Sequence, residues 1–149
     1  MTVRLAVIGA GRWGRIFIRN LVNDKNGRLT VLVSSNPKAP SFTPSGCRVE
    51  ANWQTAIRSA DIDGVIIATP PHTHAAIATA ALEAQKAVLI EKPLTISEFE
   101  ARRLLNTADR LDGFCLVDHT HQYQDAFCEL QRRIQDQPNE PLQIHAIAG

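Results

Sequence analysis

A chain of 149 residues that is 44% hydrophobic and 21% charged is large enough for one well-filled core without disulfides. Its net charge of +1 gives no general attraction to nucleic acid or to an anionic membrane surface, which points to a small-molecule ligand. Three cysteines, Cys47, Cys115 and Cys128, without C-x-x-C spacing, fit reduced thiols rather than a disulfide frame or a zinc site.

The first predicted element starts almost at once. Met1 runs directly into it, leaving no room for a signal peptide, and no apolar run approaches the roughly 18 residues of a membrane span, so a cytoplasmic location is expected. Val3, Leu5, Ala6, Val7 and Ile8 read as a buried parallel strand that ends on Gly9, Gly11 and Gly14 in the spacing G-x-G-x-x-G. Gly9 permits a sharp turn, Gly11 leaves room for a pyrophosphate against bare backbone, and Gly14 lets the next helix pack closely. That helix, with Trp13, Ile16, Phe17, Leu21 and Val22 at helical spacing, points its free N–H groups at the same place.

A second strand is predicted over residues 28–34, and residues 36–46, with Pro37, Pro40 and Pro44, read as an exposed loop. A short third strand over residues 48–50 precedes a short helix carrying Trp53, Ala56 and Ile57. Residues 65–68 form the fourth strand, stopped by Pro70 and Pro71, and residues 75–84 an alanine-rich helix. The fifth strand, residues 86–90, ends in Glu91, Lys92 and Pro93. Ser97 and Glu100 have the spacing of a capping box for a helix reaching Leu111, and residues 114–117 make a sixth strand. A helix over residues 123–134, a linker over 136–141 and a strand over 142–148 complete the pattern.

Strand and helix thus alternate, which predicts an α/β fold with a doubly wound parallel sheet, the Rossmann architecture. The expected division is a dinucleotide-binding domain over residues 1–120 and, over residues 121–149, a linking helix and the first strand of an absent C-terminal α/β domain.

In such a sheet ligands sit beyond the carboxyl ends of the strands. The end of the second strand usually offers an acidic residue to the ribose 2′-hydroxyl of NAD, and here it holds Ser34, Ser35 and Asn36. With no carboxylate to repel a 2′-phosphate, and with Arg12 and Lys38 to neutralise one, NADP is preferred and NAD remains possible. Arg12 has a second use, stacking over an adenine ring. Lys92, its backbone fixed by Pro93, is placed to hydrogen-bond a substrate hydroxyl and stabilise the alkoxide that builds up as hydride leaves carbon. The plainer role for Lys92 is a loop lysine paired with Glu91. His72 and His74 form an isolated H-x-H with no further ligand beside it, so no metal is expected. His119 and His121, beside Asp118, fit either a substrate crevice or a polar loop. No G-x-S-x-G elbow supports a hydrolase.

The motifs G-A-G-R-W-G, A-T-P-P-H-T-H and E-K-P, in that order after strands one, four and five, resemble those of the Gfo/Idh/MocA oxidoreductases. The resemblance implies hydride transfer between a nicotinamide cofactor and a carbinol carbon of a sugar, cyclitol or related polyol. It also implies a C-terminal domain that supplies much of the substrate pocket and a homo-oligomer interface. Carried over by motif, Gly9, Gly11 and Gly14 hold the pyrophosphate, Thr69, Pro70 and His74 line the cofactor, and Lys92 assists at the reacting hydroxyl. By their position at the same strand ends, Arg12, Trp13, Ser34, Ser35, Asn36, Lys38, Pro71 and Glu91 are expected to meet the cofactor as well. The second strand departs from the pattern in lacking an acid, and residues 121–125 replace an Arg-Phe-x-Pro-like run. A cofactor-binding sensor without turnover is the alternative, and a proton-handling Lys92 distinguishes the two.

Overall fold

The computed structural model describes residues 2–136. The expected linker and last strand, residues 136–141 and 142–148, fall almost wholly outside the described residues. Contacts divide the chain into one compact unit ending at Asp118 and a second beginning at His119.

The first unit is a single sheet of six parallel strands: β1 (Val3–Ile8), β2 (Gly27–Val33), β3 (Arg48–Glu50), β4 (Gly64–Ile67), β5 (Ala87–Glu91) and β6 (Cys115–Asp118). Their order is β3-β2-β1-β4-β5-β6, so the direction of winding reverses at β1. The helices are α1 (Arg12–Asn23), α2 (Trp53–Arg58), α3 (His74–Glu83) and α4 (Glu98–Leu111). The second unit, by itself, contains a 3-10 turn (Thr120–Tyr123) and α5 (Asp125–Asp136). No helix among the described residues is long and apolar enough to cross a membrane.

Successive strand residues face opposite sides, which splits the core in two. Ala6, Ile8, Val31, Val33, Val65, Ile67, Val88 and Ile90 pack with Ile57, Ile77, Ala78, Leu82, Leu104 and Ala108 from α2, α3 and α4. Val7, Leu29, Leu32 and Ile66 pack on the other face against Ile18 of α1. That second layer is narrower, and at the β6 edge Leu116 and the preceding Phe114 are exposed.

Three expectations need correction. The segment read as an exposed loop, residues 36–46, contains a 3-10 turn (Ala39–Phe42) that buries Ala39 completely against the α1 face of the sheet. Prolines forbid a helix interior there but not a short turn, and Pro40 is the second residue of this one, where its missing N–H costs nothing. The capping box does not form. Ser97 makes no side-chain cap; its carbonyl instead accepts from Ala101 N and from Thr95 Oγ1, while Glu98 and Glu100 place negative charge in the first turn. The fifth strand also runs one residue further than predicted, so Glu91 belongs to it and lies in register with Asp118.

Candidate functional site

The carboxyl ends of β1, β4 and β5 build one crevice. At β1, Gly9 has φ +102°, and a Cβ there would lie 2.5 Å from the Ala68 carbonyl oxygen. Gly9 N donates to Val33 O at 3.0 Å and Ala68 N to Ile8 O at 2.9 Å, which ties the turn to the strands on both sides. A Cβ on Gly14 would meet Gly9 O at 2.0 Å, so α1 sits directly on the turn. Gly11 is different: nothing lies within 4 Å of the place its Cβ would take. It is the N-cap of α1 without a side-chain cap, and no acidic residue stands in the first turn. An uncapped helix start beside open space is a ready anion site.

At β4, Pro71 opens a 3-10 turn (Pro71–Thr73) whose Thr73 Oγ1 donates to Pro70 O at 2.7 Å. Thr69 and Thr73 share a hydroxyl contact of 2.6 Å. His74, expected to line the cofactor, is only 1% exposed. Its Nδ1 lies 2.9 Å from Pro93 O and its Nε2 2.9 Å from Thr69 O, so the ring ties the loop after β4 to the loop after β5 from beneath. The side chain braces the crevice rather than facing it.

At β5, the Lys92–Pro93 peptide is cis and Lys92 is exposed. Glu91 is 4% exposed. Lys92 N donates to Glu91 Oε2 at 3.2 Å, and the carboxyl also meets the Asp118 side chain on the neighbouring strand. Burial, and secondarily the Asp118 carboxylate across the register, push the Glu91 carboxyl above its ordinary 4.5. The sign follows: the folded chain holds this proton more tightly than the unfolded one, so the stability it contributes is full at low pH and declines as pH rises through the raised value. Glu91→Gln is therefore expected to melt higher than wild type, by a margin that widens as pH rises above the ordinary glutamate value of 4.5 in thermal denaturation. The Arg4–Asp63 pair, whose carboxyl the guanidinium draws down to about 2, has the opposite sign: its contribution is present at neutral pH and is lost only as pH falls through the acid range.

An open crevice of about 450 Å³ is lined by residues 9–13, 68–71 and 91–92. It brings together Gly9, Gly11, Arg12, Trp13, Thr69, Pro70, Pro71, Glu91 and Lys92, from three separate stretches of chain. Gly14 and His74 lie beneath it. Ser34, Ser35, Asn36 and Lys38 lie apart from it at the end of β2, where Ser34 Oγ accepts from Asn36 N at 3.1 Å and Asn36 Oδ1 from Lys38 N at 2.9 Å. The loop is thereby held by its own side chains.

Two features here escaped the sequence. The Arg15 guanidinium lies 4.5 Å from the centroid of the Phe42 ring, and Arg12, Arg15, Arg19, Ile18 and Phe42 line a groove of about 390 Å³. Arg12 belongs to both groove and crevice. The i, i+3, i+7 spacing of the arginines is visible in the sequence, but the partner comes from a segment expected to be an exposed loop. Glu50 places a carboxylate beside the end of β2, and its register with Val33 turns it to the face covered by α2. A search for an acid along β2 alone passes over it.

Comparison with known proteins agrees with this architecture. Residues 3–119 match the Gfo/Idh/MocA family, described as an oxidoreductase family with an NAD-binding Rossmann fold. The chain is 30% identical to inositol 2-dehydrogenase 1 of Saccharopolyspora erythraea over 99% of its own length and 46% of that protein. It is 28% identical to the inositol 2-dehydrogenase of Rhizobium meliloti, over 91% of the chain and 42% of that protein. It thus spans less than half the length of these relatives. Among solved structures, a biliverdin reductase from Synechocystis, in complex with biliverdin and NADP+, superposes with TM-score 0.79 at 27% identity, covering 89% of this chain and 43% of that one. The scyllo-inositol dehydrogenase of Lactobacillus casei, with bound NAD(H) and scyllo-inositol, shares the fold with TM-score 0.86 at 20% identity, covering 93% of this chain and 42% of that one. With its glycine turn, six-stranded parallel sheet and family match across residues 3–119, this chain belongs to the Gfo/Idh/MocA oxidoreductase family and forms its NAD-binding Rossmann domain.

Proposed function

We propose that this chain is the cofactor-binding part of an oxidoreductase that moves a hydride between a nicotinamide dinucleotide and a hydroxyl-bearing carbon of a sugar, cyclitol or related polyol. The observation that carries the reading is that the glycine turn and Lys92, 78 positions or more apart, line one crevice. The fit to a dinucleotide rests on the chain itself: open space over Gly11 beside an uncapped helix start receives a pyrophosphate. When bound, the nicotinamide supplies the hydride donor or acceptor. The chain supplies the rest. The Lys92 ammonium hydrogen-bonds the substrate oxygen and stabilises the negative charge that develops on it. His74 braces the two loops that carry Thr69 and Lys92. The polyol assignment draws on the relatives named inositol 2-dehydrogenase. The complete protein is proposed to be a cytoplasmic homo-oligomer whose further domain provides the remaining substrate contacts.

NADP is the preferred form in this reading. The end of β2 carries Ser34, Ser35, Asn36 and Lys38 in place of an acid, and Arg12, with Arg15 and Arg19 along the same helix, offers positive charge for a 2′-phosphate. At about 100 times its Kd, NADPH is expected to stabilise the chain by about 2.7 kcal/mol. That corresponds to roughly 5–10 °C in Tm for a domain of this size. NADH at equal concentration is expected to raise Tm less. Equal shifts would remove the 2′-phosphate argument, and no shift with either nucleotide would remove the dinucleotide reading itself.

A further inference from the structure

We propose that His74 is a proton-operated clamp on the crevice: with both ring nitrogens protonated it ties the loop after β4 to the loop after β5, and with one proton it holds only one of them. The clamp stands on the geometry of the ring, and only its effect on a ligand rests on the dinucleotide reading above.

His74 opens α3 and is buried. Its two hydrogen-bond partners are both backbone carbonyl oxygens, Pro93 O at 2.9 Å from Nδ1 and Thr69 O at 2.9 Å from Nε2. A carbonyl oxygen only accepts. A neutral imidazole has one N–H to donate and one bare lone pair, so it satisfies one of these oxygens and sets its lone pair against the other. The ring is shut off from solvent, so bulk water does not relieve that mismatch. An imidazolium donates from both nitrogens and satisfies both oxygens. Proton uptake thus turns a contact between two acceptors into a charge-assisted hydrogen bond, against the cost of a charge taken out of water. The two carbonyls belong to opposite walls: Thr69 and Pro70 line the crevice on one side, and Lys92, joined to Pro93, on the other.

α3 packs against β4, β5, α2 and α4. β4 carries no ionisable side chain, the end of β5 brings Glu91 and Lys92, α4 brings Glu100 and Arg103, and α2 brings Arg58. His72 stands on the turn before α3 and Glu83 on α3 itself. Of these only Glu91 is buried, and its hydrogen bonds go to Lys92 N and Asp118, not to the ring. Glu91 is therefore the group whose titration has to be separated from that of the clamp.

Nitrogen NMR of the histidine rings and ADP-ribose titrations between about pH 5 and pH 8, the span in which histidine exchanges its proton, test the clamp. ADP-ribose is the probe because none of its own groups titrates there. Wild type is expected to show two protonated nitrogens on His74 at the acid end and one at the alkaline end, with ADP-ribose bound about three- to tenfold more weakly at the alkaline end. The same weakening is expected in Glu91→Gln. His74→Asn, whose amide NH2 stands near the place of Nδ1, and His74→Gln, whose NH2 stands near that of Nε2, each keep a donor for one carbonyl and have no proton to exchange. Both are expected to bind ADP-ribose at the alkaline wild-type strength across the whole span. The clamp is overturned by a His74 ring that keeps one protonation state throughout, or by a wild-type affinity that does not follow the ring. It is equally overturned by a response that vanishes in Glu91→Gln or survives in both His74 variants. If a variant fails to fold, the wild-type ring spectrum and affinity decide alone. If ADP-ribose binds wild type at no pH, the dinucleotide reading falls, and the ring spectrum still decides whether the clamp closes.

Discussion

Lys92→Met in the complete protein is expected to lower turnover by roughly 10²–10⁴, the range for loss of a positioned proton-handling group. Cofactor affinity should stay within about threefold of wild type, because an interaction made chiefly at the reacting oxygen is lost from kcat and not from cofactor binding. Methionine keeps the unbranched stem and removes only the charged head. The backbone N–H of residue 92 still donates to Glu91 Oε2, and the neighbouring loop is still braced through Pro93 O to His74, so the crevice wall stays in place. Steady-state kinetics with a separate fluorescence titration of reduced cofactor measure both quantities. Unchanged turnover would return Lys92 to the plain role of an exposed loop lysine.

The three glycines of the first turn are expected to fail in different ways when each is replaced by alanine. Gly14→Ala puts a methyl group 2.0 Å from the Gly9 carbonyl, a backbone atom that no rotamer change can move aside. A loss of about 1–3 kcal/mol or more follows, read as a large fall in Tm or an insoluble chain. Gly9→Ala combines a 2.5 Å approach to Ala68 O with φ +102°, where a side chain is strained, and should destabilise comparably. Gly11→Ala meets nothing, at a φ of −68° that alanine adopts freely. Its unliganded Tm should match wild type within about 1 °C, while ADP-ribose affinity falls about tenfold or more, since the new methyl group stands where the pyrophosphate approaches. Wild-type affinity in Gly11→Ala would place the phosphates elsewhere. The pair of outcomes separates a folding requirement at Gly14 from a ligand requirement at Gly11.

Local pattern determined the alternation of strands and helices in this chain, because burial on a sheet or a helix face repeats every two or 3.6 residues and is written directly in the order of apolar side chains. It also determined the glycine turn, whose requirements are those of one short stretch of backbone. Hydrogen-bond choice is less local. Ser97 and Glu100 had the right spacing for a capping box, yet the Ser97 carbonyl took its partners from Thr95 and Ala101 and the side chain made no cap. Tertiary structure alone decided the rest, since it concerns residues distant in sequence whose meeting depends on strand order and register. His74 became a brace because Thr69 O and Pro93 O arrive on either side of its ring. Arg15 acquired Phe42 because Ala39 buries against the sheet and draws its turn beneath α1. Glu91 lost its water and gained a neighbouring carboxylate because β5 runs one residue longer than its apolar pattern and pairs residue 91 with 118.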